Sequence, residues 1–390
     1  MCPPESVLRQ QNGRSSTSTA TLTQTTATTQ HEQLVELHRN TSEDTLMENA
    51  YGEAERVTMI EEVLASAPPP WHSIALIGSV LAIFVQMLPS WDEIDQVATL
   101  DTFSKSEAWI GGPLQLGIYR FIIALTIWST SLYLLCGPGW SLLTSWKPGS
   151  KLRSGATIRL QGIKTMFPFT SWSWNMLGLS YSLNALIALS VATGQDVWIA
   201  QLQNNWLLRL ALIVWEVAAP CVILVSTVIR FAIWEMLLKA GGDTSNLKSF
   251  RNVMMHNANA FFVVLEVSLL GGLPVRFNEA SLAPLFGVCY VIFTWNMANR
   301  WTERKHGPQF IYFFFDTTMG KVTTIALVCL LCALLIFYAL FATARIVLDS
   351  LSGVFKQAND GDDYSVTELA CHASFALLLT SAVCRFRDHW

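Results

Sequence analysis

Apolar stretches long enough to cross a membrane recur along this chain and dominate its pattern. Each is about 18 to 24 residues long, and about 20 helical residues cover the roughly 30 Å hydrocarbon core of a bilayer. The clearest runs from Val322 to Ala344 and contains no charged residue. The pattern predicts an all-α fold, a polytopic transmembrane helical bundle with seven spans, at residues 71–90, 114–135, 172–193, 206–229, 255–273, 282–299 and 322–344.

The two ends of the chain differ from this pattern. Residues 1–43 are polar and rich in Ser and Thr, a composition that predicts a disordered tail. Residues 44–70 predict an acidic surface helix followed by a proline-rich linker, because Pro68, Pro69 and Pro70 cannot continue a helix. In the C-terminal segment, 346–390, the apolar stretch 369–384 is shorter and predicts either an eighth span or an interfacial helix.

Composition and charge narrow the class of protein. Apolar residues make up 52% of the chain and charged residues 14%, against about 25% charged in an average soluble protein. The net charge of −4 provides no basic field for nucleic acid. The eight cysteines lie mostly in apolar runs, and nucleotide and metal motifs are absent from the sequence, so we expect no cofactor and no metal site.

Loop charges predict the orientation. Apart from Arg230 at the end of the fourth span, the second, fourth and sixth loops between the predicted spans carry twelve Lys and Arg residues, whereas the first, third and fifth carry two. Because Lys and Arg collect in cytoplasmic loops, we expect the even-numbered loops and the N-terminus to be cytoplasmic.

Polar side chains inside the predicted spans are the candidates for function, because they are costly in lipid. The third span opens with Thr170 in a polar run, and the fifth carries His256, Asn259 and Glu266 at helical spacing, as one polar stripe. The alternative is structural: Ser and Thr bonding neighbouring helices, and a histidine serving as a buried hydrogen-bonding group. Glu216, one turn before Pro220, is expected to bond near a helix kink or to pair with another span.

The predicted topology places Thr170 and His256 at the same leaflet. Thr170 enters its span from the second loop and His256 from the fourth, both expected in the cytoplasm. A histidine within about 3 Å of a threonine hydroxyl could act as its base for attack on an ester carbonyl. Asn257 or Asn259 would then stabilise the oxyanion.

Short motifs in this region resemble a known family. Phe169 and Thr170 open a span, Asn252 and His256 precede Glu266 at a set spacing, and an aromatic run leads to Asp316. In order and placement, over about residues 114–345, these motifs are similar to those of the androgen-inducible and androgen-dependent TFPI-regulating family of multi-pass membrane threonine hydrolases. In the aromatic run, Phe313 stands where that family has a proline. The first span and loop, 71–113, and the segments outside 114–345 are additional to the six-span core of that family.

The resemblance implies an integral membrane hydrolase that cleaves a lipid ester of the type in which a fatty acid esterifies a hydroxy fatty acid. Thr170 is then the nucleophile and His256 the base, and Asn252, Asn257, Asn259 and Glu266 support them. The alternative is a non-enzymatic transporter or proton and solute pathway using His256, Asn259 and Glu266, or a structural partner in a membrane complex. We expect a membrane lipid as substrate, no nucleic acid as partner, and the endoplasmic reticulum or another endomembrane as location, with the plasma membrane as the alternative.

Overall fold

The computed structural model is mostly helical, with 77% helix and 2% strand. It describes residues 68–143, 150–152, 157–202, 205–239, 241, 244–301, 307–358 and 366–385. The predicted disordered tail (1–43) and residues 44–67 of the predicted acidic helix lie outside the described residues.

Eleven helices are named below, among the described residues, in chain order. They are α1 (Trp71–Gln86), α2 (Trp91–Asp95), α3 (Leu100–Ser104), α4 (Pro113–Cys136), α5 (Phe169–Ala192), α6 (Val197–Ala200), α7 (Trp206–Lys239), α8 (250–268), α9 (Leu282–Met297), α10 (Lys321–Ala358) and α11 (Val366–Val383). Single 3₁₀ turns lie at Ala108–Ile110, Gly162–Met166, Ser245–Lys248, Phe277–Glu279, Phe313–Phe315 and Thr317–Met319. Two helices contain π-helical turns, α7 at Val228–Trp234 and α8 at Met254–Ala258.

Six helices of the described chain are long and apolar enough to cross a membrane, which makes this an integral membrane protein. They are Pro113–Cys136, Phe169–Ala192, Trp206–Lys239, Phe277–Met297, Lys321–Phe355 and Val366–Val383. The prediction of a multi-pass helical bundle is therefore confirmed, whereas the count of seven is not. The C-terminal stretch 369–384, for which either an eighth span or an interfacial helix was predicted, belongs to α11, which is one of the six.

Two predicted spans do not reach the required length or apolarity. Helix α1 has 16 residues, about 24 Å at 1.5 Å per residue, and ends at Gln86 because Pro89 disfavours helix at the residue before it. The predicted span 255–273 ends as a helix at Ser268, four residues before Gly272, whose φ is 62°. The first half of α8 is also polar, because it holds Asn252, His256 and Asn257.

The core is built around α7, which is the most buried of the six helices, with 78% of its apolar window inside the molecule. Helices α4 and α5 pack closely at Gly178, where a Cβ atom would lie 2.7 Å from Ile127 Cγ2. The buried Trp174 indole donates a hydrogen bond of 3.2 Å to the Ile127 carbonyl at the same contact. Any larger side chain at position 178 would force these two helices apart.

A short antiparallel ribbon lies between α4 and α5, in the loop expected to be cytoplasmic. Strand β1 (Trp140–Leu143) pairs with β2 (Thr157–Leu160), with Trp140 opposite Leu160. Arg251 at the start of α8 lies over the Trp140 ring at 4.0 Å from its centroid. The ribbon therefore contacts the beginning of the helix that carries His256.

Candidate functional site

Thr170 is the second residue of α5, directly after the helix begins. Pro168 precedes the helix with a φ of −57°, and its carbonyl accepts the first hydrogen bonds of the helix, from the amides of Ser171 and Trp172. The Thr170 side chain is half-buried, and its hydroxyl lies 3.4 Å from the Tyr312 hydroxyl. The start of α5 thus presents a hydroxyl pair close to the amide end of a helix, where partial positive charge favours developing negative charge.

Thr170 and Tyr312 line a cavity of about 110 Å³, here called the larger cavity. It lies among α1, α5, α7, α9 and α10, is partly open to the outside of the molecule, and is almost entirely apolar. Its apolar lining includes Leu76, Val80, Leu224, Val225, Val228, Ile229, Ile233, Val288, Val291, Leu327, Leu331 and Leu334. Tyr290 also lines it, and its side chain is almost fully buried.

His256 lies in the π-helical turn of α8 and is 7% exposed. It lines a second cavity of about 10 Å³, here called the smaller cavity, with Arg230, Asn252, Asn257 and Arg385 among the other lining residues. The His256 Nδ1 atom is buried and has no hydrogen-bond partner within the described part of the chain. A polar atom in this state is a ready partner for a ligand or a water molecule.

Thr170 and His256 therefore line different cavities. Ile229, in the π-helical turn of α7, is the residue that lines both. Among the described residues no hydrogen bond joins Thr170 to His256, and the nearest hydroxyl group bonded to Thr170 is that of Tyr312. The nucleophile and base pair stays a prediction, and it requires a movement past Ile229.

The asparagines of α8 serve mainly helix packing. Asn259 accepts a hydrogen bond of 3.1 Å from Ser226 of α7. The Asn257 amide donates to the Arg385 carbonyl at 3.1 Å and so holds the end of α11. Asn252 lines the smaller cavity. Their predicted role as oxyanion donors stays a prediction.

Glu266 is held by a residue that the sequence analysis missed. Arg120 of α4 forms a bidentate pair with it, with Nε to Oε2 at 3.1 Å and Nη2 to Oε1 at 2.5 Å. Arg120 also donates to the Phe103 carbonyl, and both charged side chains are 0% exposed. The signal was available, since a lone arginine inside an apolar stretch needs an acidic partner.

A second buried network surrounds Glu216. Its carboxylate accepts the Arg276 amide at 3.1 Å and the Tyr338 hydroxyl, so it pairs with another span as well as with the loop before α9. Glu279 lies 3.5 Å from the Arg276 guanidinium and is fully buried. Tyr338, Arg276 and Glu279 were not identified from the sequence, because nothing in the local pattern places them beside Glu216.

Asp316, at the end of the aromatic run, organises the loop before α10. It accepts hydrogen bonds from the Thr318 amide at 2.9 Å and from the Ser150 hydroxyl. These contacts place Tyr312, four residues earlier, beside Thr170. Asp316 is therefore a positioning residue for the larger cavity.

The described residues contain no group of three or more His, Cys, Asp or Glu side chains that could hold a metal ion. No family model, no curated protein and no solved structure matches this chain. The resemblance to a family of membrane threonine hydrolases stays a prediction that rests on short motifs.

Proposed function

We propose that this integral membrane protein binds the acyl chain of a lipid in the larger cavity, with the Thr170 and Tyr312 hydroxyls meeting a polar group of that lipid. The observation that supports it is the composition of the cavity: apolar side chains on every helix around it and a hydroxyl pair 3.4 Å apart at the start of α5. Ligand sites typically combine an apolar lining with a few polar groups that fix orientation.

The size of the cavity limits how much of the lipid it holds. An apolar cavity of roughly 150 Å³ accommodates one benzene ring, so about 110 Å³ accommodates a few methylene groups. The remainder of the chain would extend through the open side of the cavity. A lipid tail that enters the cavity comes from the hydrocarbon of the bilayer and not from water, so this transfer gains little hydrophobic free energy. Packing contacts and hydrogen bonds therefore have to provide the selectivity for the lipid.

Gly287 provides a direct test of this binding. It lines the larger cavity, and a Cβ atom built there meets nothing within 4 Å, so a larger side chain would occupy the cavity. We expect Gly287→Leu to abolish binding of monoolein to the purified protein while the protein remains folded. Gly353→Leu is the matched control, because Gly353 lies in α10, is exposed, and also has free space. Equal binding by wild type and Gly287→Leu would contradict the proposal.

A second candidate function is hydrolysis of a lipid ester, favoured by the position of the Thr170 hydroxyl on the same cavity. Its oxygen would attack the carbonyl carbon, the alcohol would leave with a proton, and water would then release the acid from the acyl-threonine. His256 would have to pass Ile229 to accept the threonine proton.

Covalent labelling separates the two candidates. If the protein is a threonine hydrolase, a fluorophosphonate probe labels wild type and Thr170→Ala is not labelled, while both still bind monoolein. If Thr170→Ala and His256→Ala are both labelled as strongly as wild type, hydrolysis by this pair is excluded and lipid binding remains. The transport alternative is less favoured, because Glu266 is paired with Arg120 and Asn259 with Ser226, which divides the polar stripe.

We also propose that the N-terminus is cytoplasmic and that the protein lies in the endoplasmic reticulum or another endomembrane. The support for the orientation is the excess of Lys and Arg in the even-numbered loops of the seven-span pattern, so this proposal includes a membrane crossing by α8. An N-terminal tag that antibodies reach after selective permeabilisation of the plasma membrane would support the orientation. A tag reached only after the internal membranes are opened would contradict it.

A further inference from the structure

The smaller cavity is surrounded by cationic side chains. Arg230 and Arg385 line it together with His256, and Arg251 lies one turn before His256 on α8. Among the described residues, the carboxylate of Glu235 offsets them in part, and it pairs with Arg385 at 2.5 Å. In the part of the chain that the structure describes, the side chains around this cavity are therefore mainly cationic, which favours an anionic ligand.

Arg230 keeps donors available beside this cavity. Its Nη1 atom donates to the carbonyls of Ser381 and Cys384, the latter at 2.6 Å, and so caps the end of α11. Its Nε and Nη2 atoms make no hydrogen bond within the described part of the chain. The unpartnered and buried Nδ1 atom of His256 lines the same cavity and can donate when it carries the ring proton.

Two π-helical turns contribute residues to the lining of this cavity. Ile229 and Arg230 belong to the turn in α7, and His256 belongs to the turn in α8. Such turns are rare and occur frequently at functional sites, because they displace side chains from the regular helical positions. The turn in α7 places Ile229 against both cavities and Arg230 against the smaller one.

We infer that the smaller cavity binds an anionic oxygen of the lipid, a carboxylate or phosphate oxygen, through Arg230 and His256 while the acyl chain lies in the larger cavity. This inference rests on the proposed function, because the two cavities are neighbours that share Ile229 in their linings. The volume of about 10 Å³ admits roughly one water-sized group, so a single oxygen enters while the rest of the head stays outside. The lipid is therefore acidic and not neutral.

Ligand competition on the purified full-length protein tests this. Oleate, oleoyl lysophosphatidate and neutral monoolein are compared by native mass spectrometry in the same detergent. We expect wild type to bind at least one of the acids about tenfold more tightly than monoolein, as expected for charge-assisted hydrogen bonds. Preference for oleate alone identifies a carboxylate, preference for the lysophosphatidate alone identifies a phosphate, and preference for both identifies the shared anionic oxygen.

Two variants assign the preference to this cavity. Arg230→Gln should bring the acids to the affinity of monoolein, whereas Lys239→Gln, an equal change of charge at an exposed position of the same helix, should keep the wild-type ratio. Arg230 also caps α11, so Arg230→Gln could disturb the fold and lose all three ligands. In that case His256→Phe, the second variant, tests whether the preference for acids depends on this cavity. Equal binding of acids and monoolein by wild type, or a wild-type ratio in both cavity variants, would overturn the inference.

The same experiment separates this inference from the proposed function. If monoolein and both acids bind equally and Gly287→Leu blocks all three, the larger cavity holds the lipid and the anion site is wrong. If wild type binds none of the three, the proposed function itself fails.

Discussion

Arg120 of α4 and Glu266 of α8 form a bidentate ion pair in the interior of the bundle, although 146 residues separate them in the chain. Neither side chain is exposed, so neither charge is compensated by water. The pair therefore ties α8, which is too polar to count among the six apolar helices, to α4, which is long and apolar enough to cross a membrane.

Removing one partner of this pair should destabilise the protein strongly. Glu266→Gln leaves the Arg120 charge buried without its partner, which typically costs about 3 to 5 kcal/mol. The free energy of unfolding in detergent, from thermal or denaturant unfolding, measures the loss. Asp349→Asn is the control, because Asp349 is 56% exposed in its pair with Arg345 and such pairs contribute about 0 to 1 kcal/mol.

The double variant Arg120→Leu with Glu266→Leu removes both charges. We expect it to recover most of the stability that Glu266→Gln loses, because no uncompensated charge is left. A double variant as unstable as the single one would show that the pair contributes more than mutual neutralisation.

Gly271 should be intolerant of any side chain. A Cβ atom there would lie 2.3 Å from Arg120 Nη2 and 3.0 Å from the Lys105 carbonyl oxygen, so the ion pair would have to move. We expect Gly271→Ala to lower the midpoint of thermal unfolding by several degrees. Gly78→Ala in α1 is the control, because a Cβ atom at Gly78 meets nothing within 4 Å. Equal midpoints for the two variants would contradict this packing.

The helical bundle was predictable from the sequence because a helix that crosses the bilayer needs a continuous apolar run of about 20 residues, which can be read directly along the chain. The uncharged run from Val322 to Ala344 identified α10 correctly, although the helix continues to Ala358. The prediction stopped at Arg345, where charge returns. A helix need not end where the apolar stretch ends, and Arg345 pairs with Asp349 one turn further along.

The candidate site was less predictable, since it depends on which faces of distant helices meet. The loop charges predict that Thr170 and His256 lie at the same leaflet. They do not predict towards which neighbouring helix each side chain points. The two π-helical turns change that direction locally, and no residue in the sequence marks them. Arg230 and His256, one in each π-helical turn, line the same cavity and were not paired from the sequence. Tyr312 lies in a loop, where no helical periodicity places it beside Thr170, and it was not identified either.

Loss of the Tyr338 hydroxyl should destabilise the network around Glu216. Tyr338→Phe leaves one oxygen of a fully buried carboxylate without its donor, which costs about 1 to 3 kcal/mol. Unfolding in detergent measures the change. Tyr119→Phe in α4 is the control of equal chemistry, because Tyr119 is 47% exposed and the change removes the same hydroxyl from an open position. An equal or larger loss in Tyr119→Phe would contradict the assignment.

Acid should weaken the contact between the first loop and α7. The Arg209 guanidinium donates two hydrogen bonds of 2.7 Å to Asp95, and these hold the pKa of Asp95 below its ordinary value of 3.8. Because the pKa is lower in the folded state, the stabilisation is complete above about pH 3.8 and is lost as the pH falls through the folded value.

Asp95→Asn reports this dependence directly. The difference in unfolding midpoint between wild type and Asp95→Asn should be constant near neutral pH and should shrink as the pH falls below 3.8. A difference that grows on acidification would contradict the sign of the shift.

The central claim, that a lipid chain occupies the larger cavity, is tested most directly by photo-crosslinking. A monoacylglycerol with a diazirine in its acyl chain is irradiated with the purified protein, and the adducts are mapped by mass spectrometry. We predict adducts on the cavity-lining residues of α7 and α10, such as Val225, Ile229 and Leu331, and their loss in Gly287→Leu. Adducts confined to exposed lipid-facing residues such as Phe121 and Leu125, unchanged in Gly287→Leu, would contradict the claim.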